Sequence, residues 1–302
     1  MATAPAPAHA VCVFAVRRGR GPDLPPDLTG HEGGGPLRLV PAGALWAVVQ
    51  DVPADDYSED ALRERLSEPA TLERCVRDHH AVVTAFAARS GAIPLPLATL
   101  YHSEERCRAA LTADVPRFER TLERITGRNE WAVKVNLLAV RKPEPQTAQP
   151  PQESPAHDEA PAPSGRAYLA RLRERGQERD DRRQRAVNAA ELLDRAVLSI
   201  ADATVRRRLH GAEIVGRDRT QILNAAYLVP EQSGAEFNAL LDQLRAAPEF
   251  EGCEVEVTGP WVPYSFVDTA SLAETDAAGP PQGSHAGPPQ GSHARPHAGS
   301  RT

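Results

Sequence analysis

Several stretches of this 302-residue chain carry side chains suited to chemistry or recognition. His79-His80 places two imidazoles in a run with apolar residues at helical spacing, and imidazole is the side chain that ligates metals and moves protons near neutral pH. No His, Asp or Glu follows four residues later on the same face, as a helical H-E-x-x-H metal site requires, so His79 reads as a packing residue with His80 at its edge. Residues 19–36 hold six glycines and four prolines, a composition that invites comparison with a phosphate cradle. They contain neither G-x-x-x-x-G-K-[ST] nor a G-x-G-x-x-G closing into a helix, and are expected to form a flexible loop. Residues 171–185 are almost all charged, with Glu174, Glu178, Asp180 and Asp181 interspersed among arginines. The carboxylates neutralise the arginines in place, so a solvated helix face laced with intrahelical pairs is expected rather than an anion-binding surface.

The most concentrated stretch is Gly259-Pro-Trp-Val-Pro-Tyr-Ser-Phe266, with three aromatic rings in a chain that is only 5% aromatic. Stiff extended backbone presents such rings well, either to a partner or to the chain's own core, and both roles stay open for Trp261, Tyr264 and Phe266. The second proline-edged stretch, Pro94-Leu-Pro-Leu-Ala-Thr-Leu-Tyr101, alternates apolar residues with proline, which only an edge strand or a crossing segment tolerates. There is no nucleophile elbow, no pair of carboxylates that spacing brings together, no metal-ligand spacing and no cofactor fingerprint. The chain is therefore expected not to be an enzyme and to use no cofactor and no metal.

These stretches need a frame. The dense β-favouring run at residues 131–140 predicts a central strand, opened by Gly127 and closed by Pro143. Before it, strands are expected at residues 11–16, 37–40 and 45–49. A short helix follows around Leu62 and Leu66, then a longer one whose apolar stripe is Leu72, Val76, Val83 and Phe86. Ser103 and Asp114 are expected caps of two further helices, the second closed by Gly127. After the central strand, a helical stripe runs through Ala189, Leu193, Val197, Ile200 and Thr204. Strands at 212–216 and 221–229 form a hairpin, Phe237, Leu240, Leu241 and Leu244 mark a helix, and Cys253, Val255 and Val257 alternate along a last strand. The order β-α-β-β-α-β is that of a ferredoxin-like unit.

An α+β chain of two small domains is thus expected: residues 1–127, and a ferredoxin-like domain over 128–268. Residues 142–164 read as a disordered insertion rich in proline, glutamine and acidic residues, and 269–302 as a low-complexity tail in which Gly-Pro-Pro-Gln-Gly-Ser-His-Ala occurs twice. A net charge of −6 and pI near 6.0 argue against nucleic acid or an anionic lipid membrane as partners. Four widely spaced cysteines without C-x-x-C suit a reducing compartment, no run is apolar enough to span a bilayer, and the first residues lack signal-peptide character, so a cytoplasmic protein is expected.

Four of these segments resemble the GvpL/GvpF family of gas vesicle proteins. Pro94 to Tyr101 is similar to its proline-led segment, although Leu97-Ala98-Thr99 stands where many members carry Arg-Phe-Gly. Gly127-Arg-Asn-Glu-Trp-Ala-Val-Lys-Val135 resembles its G-x-x-E-(aromatic)-x-V-K-V block, and Gly165-Arg-Ala-Tyr-Leu169 its G-x-x-Y-L pattern. Residues 259–266 are similar to its G-P-W-P-P-Y-S-F block, with Val262 in place of a proline. The resemblance implies a minor structural or assembly component of the gas vesicle. Such a component would bind the hydrophobic main shell protein and other accessory gas vesicle proteins, and keep the shell protein from aggregating during nucleation. It would be located in the cytoplasm before assembly and in the gas vesicle afterwards. The candidate docking residues are Pro94, Pro96, Leu97, Tyr101, Trp261, Tyr264 and Phe266. The competing class is a ligand-binding or enzymatic ferredoxin-like protein of the cytoplasm.

Overall fold

The computed structural model describes residues 9–88, 91–139, 165–211, 216 and 218–267, and contains two antiparallel sheets. In the first, β1 (His9–Arg18) pairs with β3 (Leu45–Pro53), which pairs with β2 (Arg38–Ala42). The two-residue strands β4 (Ile93–Pro94) and β5 (Leu100–Tyr101) share the other side of β1. Helix α2 (Pro69–Ala87), preceded by α1 (Glu59–Ser67), lays Val82, Val83 and Phe86 on Cys12, Phe14 and Val48 of this sheet.

Helices α3 (Glu104–Ala113) and α4 (Val115–Ile125) cover the opposite face, where Leu111, Phe118, Leu122 and Ile125 meet Val11, Val13 and Val49. Chain alternation therefore buries both faces of β1, which explains its nearly continuous apolar run.

The second sheet has the order β7-β8-β6-β9, every neighbouring pair antiparallel, built from β6 (Arg128–Leu138), β7 (Ala203–Arg206), β8 (Arg219–Pro230) and β9 (Cys253–Trp261). β6 lies between β8 and β9, so the run at residues 131–140 forms an interior strand. One face carries α5 (Gly165–Val197) and α6 (Gly234–Ala246), with Leu193, Val197, Phe237 and Leu241 on Val133, Val135, Leu223 and Tyr227. Ala226 and Leu228 point the other way and join the apolar cluster around α3 and α4, so the two sheets share a core.

Several expectations need correction. The helical stripe ends at Val197, and Thr204, two turns further on, lies in β7, because Ala203–Arg206 is a strand that pairs with β8. Residues 212–215 lie outside the described residues, as do the insertion at 142–164 and the tail at 269–302. Leu72 and Val76 are exposed; the buried face of α2 is Thr71, His79, Val82, Val83 and Phe86, a rotation that periodicity over four apolar residues did not reveal. Asp114 makes no side-chain cap bond and instead pairs with Arg117 at 2.7 Å, whereas Ser103 caps α3 by accepting from the Arg106 N–H. Gly127 ends α4 in the left-handed region, at φ 71°.

The glycine-rich loop is tied at both ends. Buried Arg17 donates to the carbonyls of Phe86 and Pro22, and its guanidinium stacks 4.0 Å over the Phe86 ring. Further along, the Gln50 amide accepts from the His31 N–H at 2.8 Å and donates to the carbonyls of His31 and Gly35. A Cβ on Gly30 or Gly34 would come within 2.4 Å of that amide, so the loop closes on Gln50 only because both positions lack one.

Candidate functional site

The aromatic block follows directly from the end of β9. In the register Trp261 stands opposite Glu130, after a bulge that skips between Glu130 and Ala132. Gly259 makes that approach possible: a Cβ there would lie 2.9 Å from the Glu130 carbonyl and 3.0 Å from the Trp131 ring. The chain then enters a short 3-10 turn, Tyr264–Phe266, which sends its side chains in different directions.

Ser265 turns onto Glu130, whose carboxylate is almost fully buried. Glu130 Oε2 accepts the Ser265 backbone N–H at 2.7 Å and Oε1 accepts its hydroxyl at 2.9 Å, while Arg207 supplies the countercharge. Charge-assisted bonds of this kind offset the desolvation of a buried carboxylate. Phe266, 5% exposed, enters the apolar cluster that also holds Tyr101, Ile93, Leu95, Phe118 and Ile125. Arg124 donates to its carbonyl and holds the turn against α4.

Tyr264 is half-buried, and burial together with the Glu130 charge raises its phenol above the usual tyrosine range. Trp261 is 43% exposed and meets the edge of the His80 ring at 5.4 Å, with Tyr264 6.1 Å from the same imidazole. Trp261, Tyr264, His80, Val76, Glu130 and Arg207 border an open groove of about 510 Å³ between α2 and the end of β9. Val76, 49% exposed, forms its apolar rim on the helix side. Trp, Tyr and Arg beside an aliphatic patch are the side chains that dominate binding energy at protein interfaces.

The proline-edged segment has a different fate along its length. Pro94 is buried in β4 and Tyr101 in β5, Leu97 is half-buried, and only Pro96 is exposed among the four candidates here. Leu95 donates its N–H to the Phe14 carbonyl and Thr99 accepts from Val13, so this segment closes the edge of β1. Ala98, at φ 63°, makes the turn between the two short strands. Thus Phe266 and Tyr101 lie in one core, Trp261 and Pro96 reach solvent, and Tyr264 and Leu97 lie between. Glu130, Arg207 and Ser265 were not singled out by sequence; the available signal was a carboxylate immediately before the dense β-favouring run at residues 131–140, where a charge needs a partner.

His79 packs as expected and more tightly than its sequence alone indicates. Its ring stacks on Phe14 at 5.2 Å and on His31 at 6.0 Å, and its Nε2 bonds the Leu95 carbonyl at 3.0 Å. Burial lowers its pKa to about 4 and also lowers that of His31. Burial pushes the thiols of Cys12 and Cys107 up to about 12, which makes them poor nucleophiles. Among the described residues no group of three or more His, Cys, Asp or Glu is placed to hold a metal ion. Among them, too, no helix is long and apolar enough to cross a membrane.

Comparison with known proteins gives relatives in sequence and, separately, solved structures of similar fold. The chain is 39% identical to gas vesicle protein L of a Streptomyces species (strain CB03234) over 264 residues, covering 87% of this chain and 94% of that one. Gas vesicle protein F1 of Halobacterium salinarum is 36% identical over 58 residues, 19% of this chain and 26% of that one. The crystal structure of GvpF from an Anabaena species superimposes with a TM-score of 0.56 at 15% identity, covering 85% of this chain and 95% of that one. GvpF from Microcystis aeruginosa gives 0.53 at 14%, covering 85% and 98%. The model of the gas vesicle synthesis protein GvpL/GvpF family matches residues 10–268, and the chain belongs to that family.

Proposed function

We propose that this chain is a non-catalytic assembly component of gas vesicles that binds the hydrophobic main shell protein, and other accessory gas vesicle proteins, through the groove bordered by Trp261. The single observation that carries the docking site is the exposure of Trp261 beside Val76 and His80, while its neighbour Phe266 is buried in the core. An exposed indole on a rigid strand end, next to an aliphatic patch, suits capture of an apolar segment. Family membership supplies the gas vesicle context. The protein works in the cytoplasm before assembly and on the vesicle afterwards.

The unit from β6 to β9 is best described as ferredoxin-like, supported by its element order and by the strand order β7-β8-β6-β9. It forms the second of two domains, with the boundary near Gly127. The test is co-expression with the main shell protein, followed by centrifugation. The wild-type chain is expected to raise the soluble fraction and to co-purify with the shell protein, and Trp261→Ala to abolish both while leaving the fold intact. A soluble fraction unaffected by the wild-type chain would overturn the binding role.

A further inference from the structure

Helix α2 lies along β1 and runs in the same direction. Late in both elements, Arg17 donates to the Phe86 carbonyl and stacks over the Phe86 ring; earlier, Phe14 stacks on His79 at 5.2 Å. At about 3.3 Å per strand residue and about 1.5 Å per helix residue, the step back from Arg17 to Cys12 and the step back from Phe86 to Cys75 are both about 16 Å. Cys12 is therefore level with Cys75. The Cys12 side chain lies on the α2 face of the sheet, in one apolar cluster with Ala10, Phe14, Val82, Val83 and Phe86. Cys75 stands one turn after Thr71 and one turn before His79, both on the buried face of α2.

The residues at this level are small. Ala10, Cys12, Thr71 and Cys75 carry no long side chain to hold helix and strand apart, which lets the two backbones approach the Cα separation of about 4.4 to 6.8 Å that a disulfide spans. Charge on one thiol is also felt by its neighbours. Burial raises the Cys12 thiol and a Cys75 thiolate raises it further; burial raises the Tyr57 phenol in the same cluster, with Arg65 opposing and both thiolates adding. Cys12 is fully buried and Cys75 half-buried, so Cys75 is the thiol that solvent reaches. The other two cysteines lie elsewhere: Cys107 packs under α3 and α4 on the opposite face of the sheet, and Cys253 is on β9 in the second sheet.

We infer that Cys12 and Cys75 are a redox pair, which an oxidant such as hydrogen peroxide closes to a disulfide that ties α2 to β1. The Cys75 sulfur attacks one peroxide oxygen, the O–O bond breaks, and a sulfenic acid and one water form. The Cys12 sulfur then attacks the Cys75 sulfur, the S–O bond breaks, and the leaving hydroxide takes the Cys12 proton as a second water. Both sulfurs are oxidised and peroxide is reduced to two waters. Cys12 is a slow nucleophile in its buried site, and the second step rests on its being held beside the sulfur it attacks. The pair lies between α2 and its own sheet and not in the Trp261 groove, so the inference stands apart from the shell-protein reading.

The test is mass spectrometry of the purified full-length chain after exposure to hydrogen peroxide, with free thiols alkylated in denaturant before digestion. The peptide holding Cys12 is expected to be joined to the one holding Cys75 within one chain, with Cys107 and Cys253 alkylated, and a phosphine reductant is expected to separate them. The same exposure in concentrated urea is expected to give mixed pairings, because only the folded chain selects this one. In Cys12→Ala the sulfenic acid has no thiol to meet, and dimedone is expected to label Cys75. In Cys75→Ser no link forms, and Cys12 is expected to be fully alkylated in denaturant. A folded wild type whose Cys75 is oxidised while Cys12 stays alkylatable, a link through Cys107 or Cys253 or between chains, or a Cys75 that dimedone does not label in Cys12→Ala would each overturn the inference.

Discussion

Glu130 and Ser265, separated by 135 residues, are joined by two hydrogen bonds of 2.7 and 2.9 Å to one buried carboxylate. Each belongs to one of the segments that resemble the gas vesicle family, so the two segments are two halves of one contact. Glu130 lies on an interior strand and Ser265 on the turn after the edge strand; their bond sets the direction in which Trp261 leaves β9. Replacing Glu130 by Ala strands the Ser265 donors and the Arg207 charge and is expected to lower stability by about 3 kcal/mol. Ser265→Ala removes one donor and is expected to lower it by about 1 kcal/mol. Urea unfolding measures both, and an unchanged midpoint for Glu130→Ala would remove this contact from the account.

Trp261 and Phe266 separate recognition from stability. Phe266→Ala empties a volume in the core shared by α4 and both sheets and is expected to destabilise by about 3 to 5 kcal/mol. Trp261→Ala, at a site 43% exposed, is expected to shift the unfolding midpoint little while abolishing capture of the shell protein. Pull-down and thermal melting on the same two variants check this; loss of folding in Trp261→Ala would reassign the indole to the core.

The closure of the glycine-rich loop on Gln50 predicts a coupling. Gly34→Ala forces the Gln50 amide out of the three bonds that hold it and is expected to cost about 1 to 3 kcal/mol. In the background of Gln50→Ala the same substitution meets no amide and is expected to cost much less. A double-mutant cycle by chemical denaturation gives the coupling, and additive effects would show that the loop does not depend on this side chain.

The buried imidazoles make stability depend on pH. Burial holds His79 near 4 against an ordinary value of 6.5 and lowers His31 as well, so the unfolded chain binds more protons than the folded one. Around the pair stand His80, Asp78, Arg65 and Tyr57, of which Asp78 favours and Arg65 opposes charging of His31. The stabilisation is complete above about pH 6.5 and is lost as pH falls from there toward 4, on the order of 3 kcal/mol for His79. His79→Gln, which keeps a donor for the Leu95 carbonyl, is expected to flatten the unfolding free energy across that window. An unaltered slope would mean that His79 is solvated in the folded state.

Much of this architecture is written in local pattern. The alternation and β-branching of residues 131–137, the apolar spacing of α4 and α6, and glycine at 127 depend on neighbours within a turn or a pleat, so they could be read in order along the chain. The family blocks were legible for the same reason, being short and contiguous. Tertiary contact decided the rest. Thr204 has the spacing of a helix but pairs with Tyr227, because the open edge of β8 offers backbone partners that a frayed helix end lacks. Leu72 and Val76 fit the stripe of α2, yet the helix turns its His79 face onto Phe14 and leaves them in solvent. Trp261 and Phe266 are both aromatic and five residues apart in one motif. Only the pairing of β9 with β6 and the bond from Ser265 to Glu130 send one ring into the core and hold the other at the groove. That choice depends on groups more than a hundred residues apart, and no local pattern contains it.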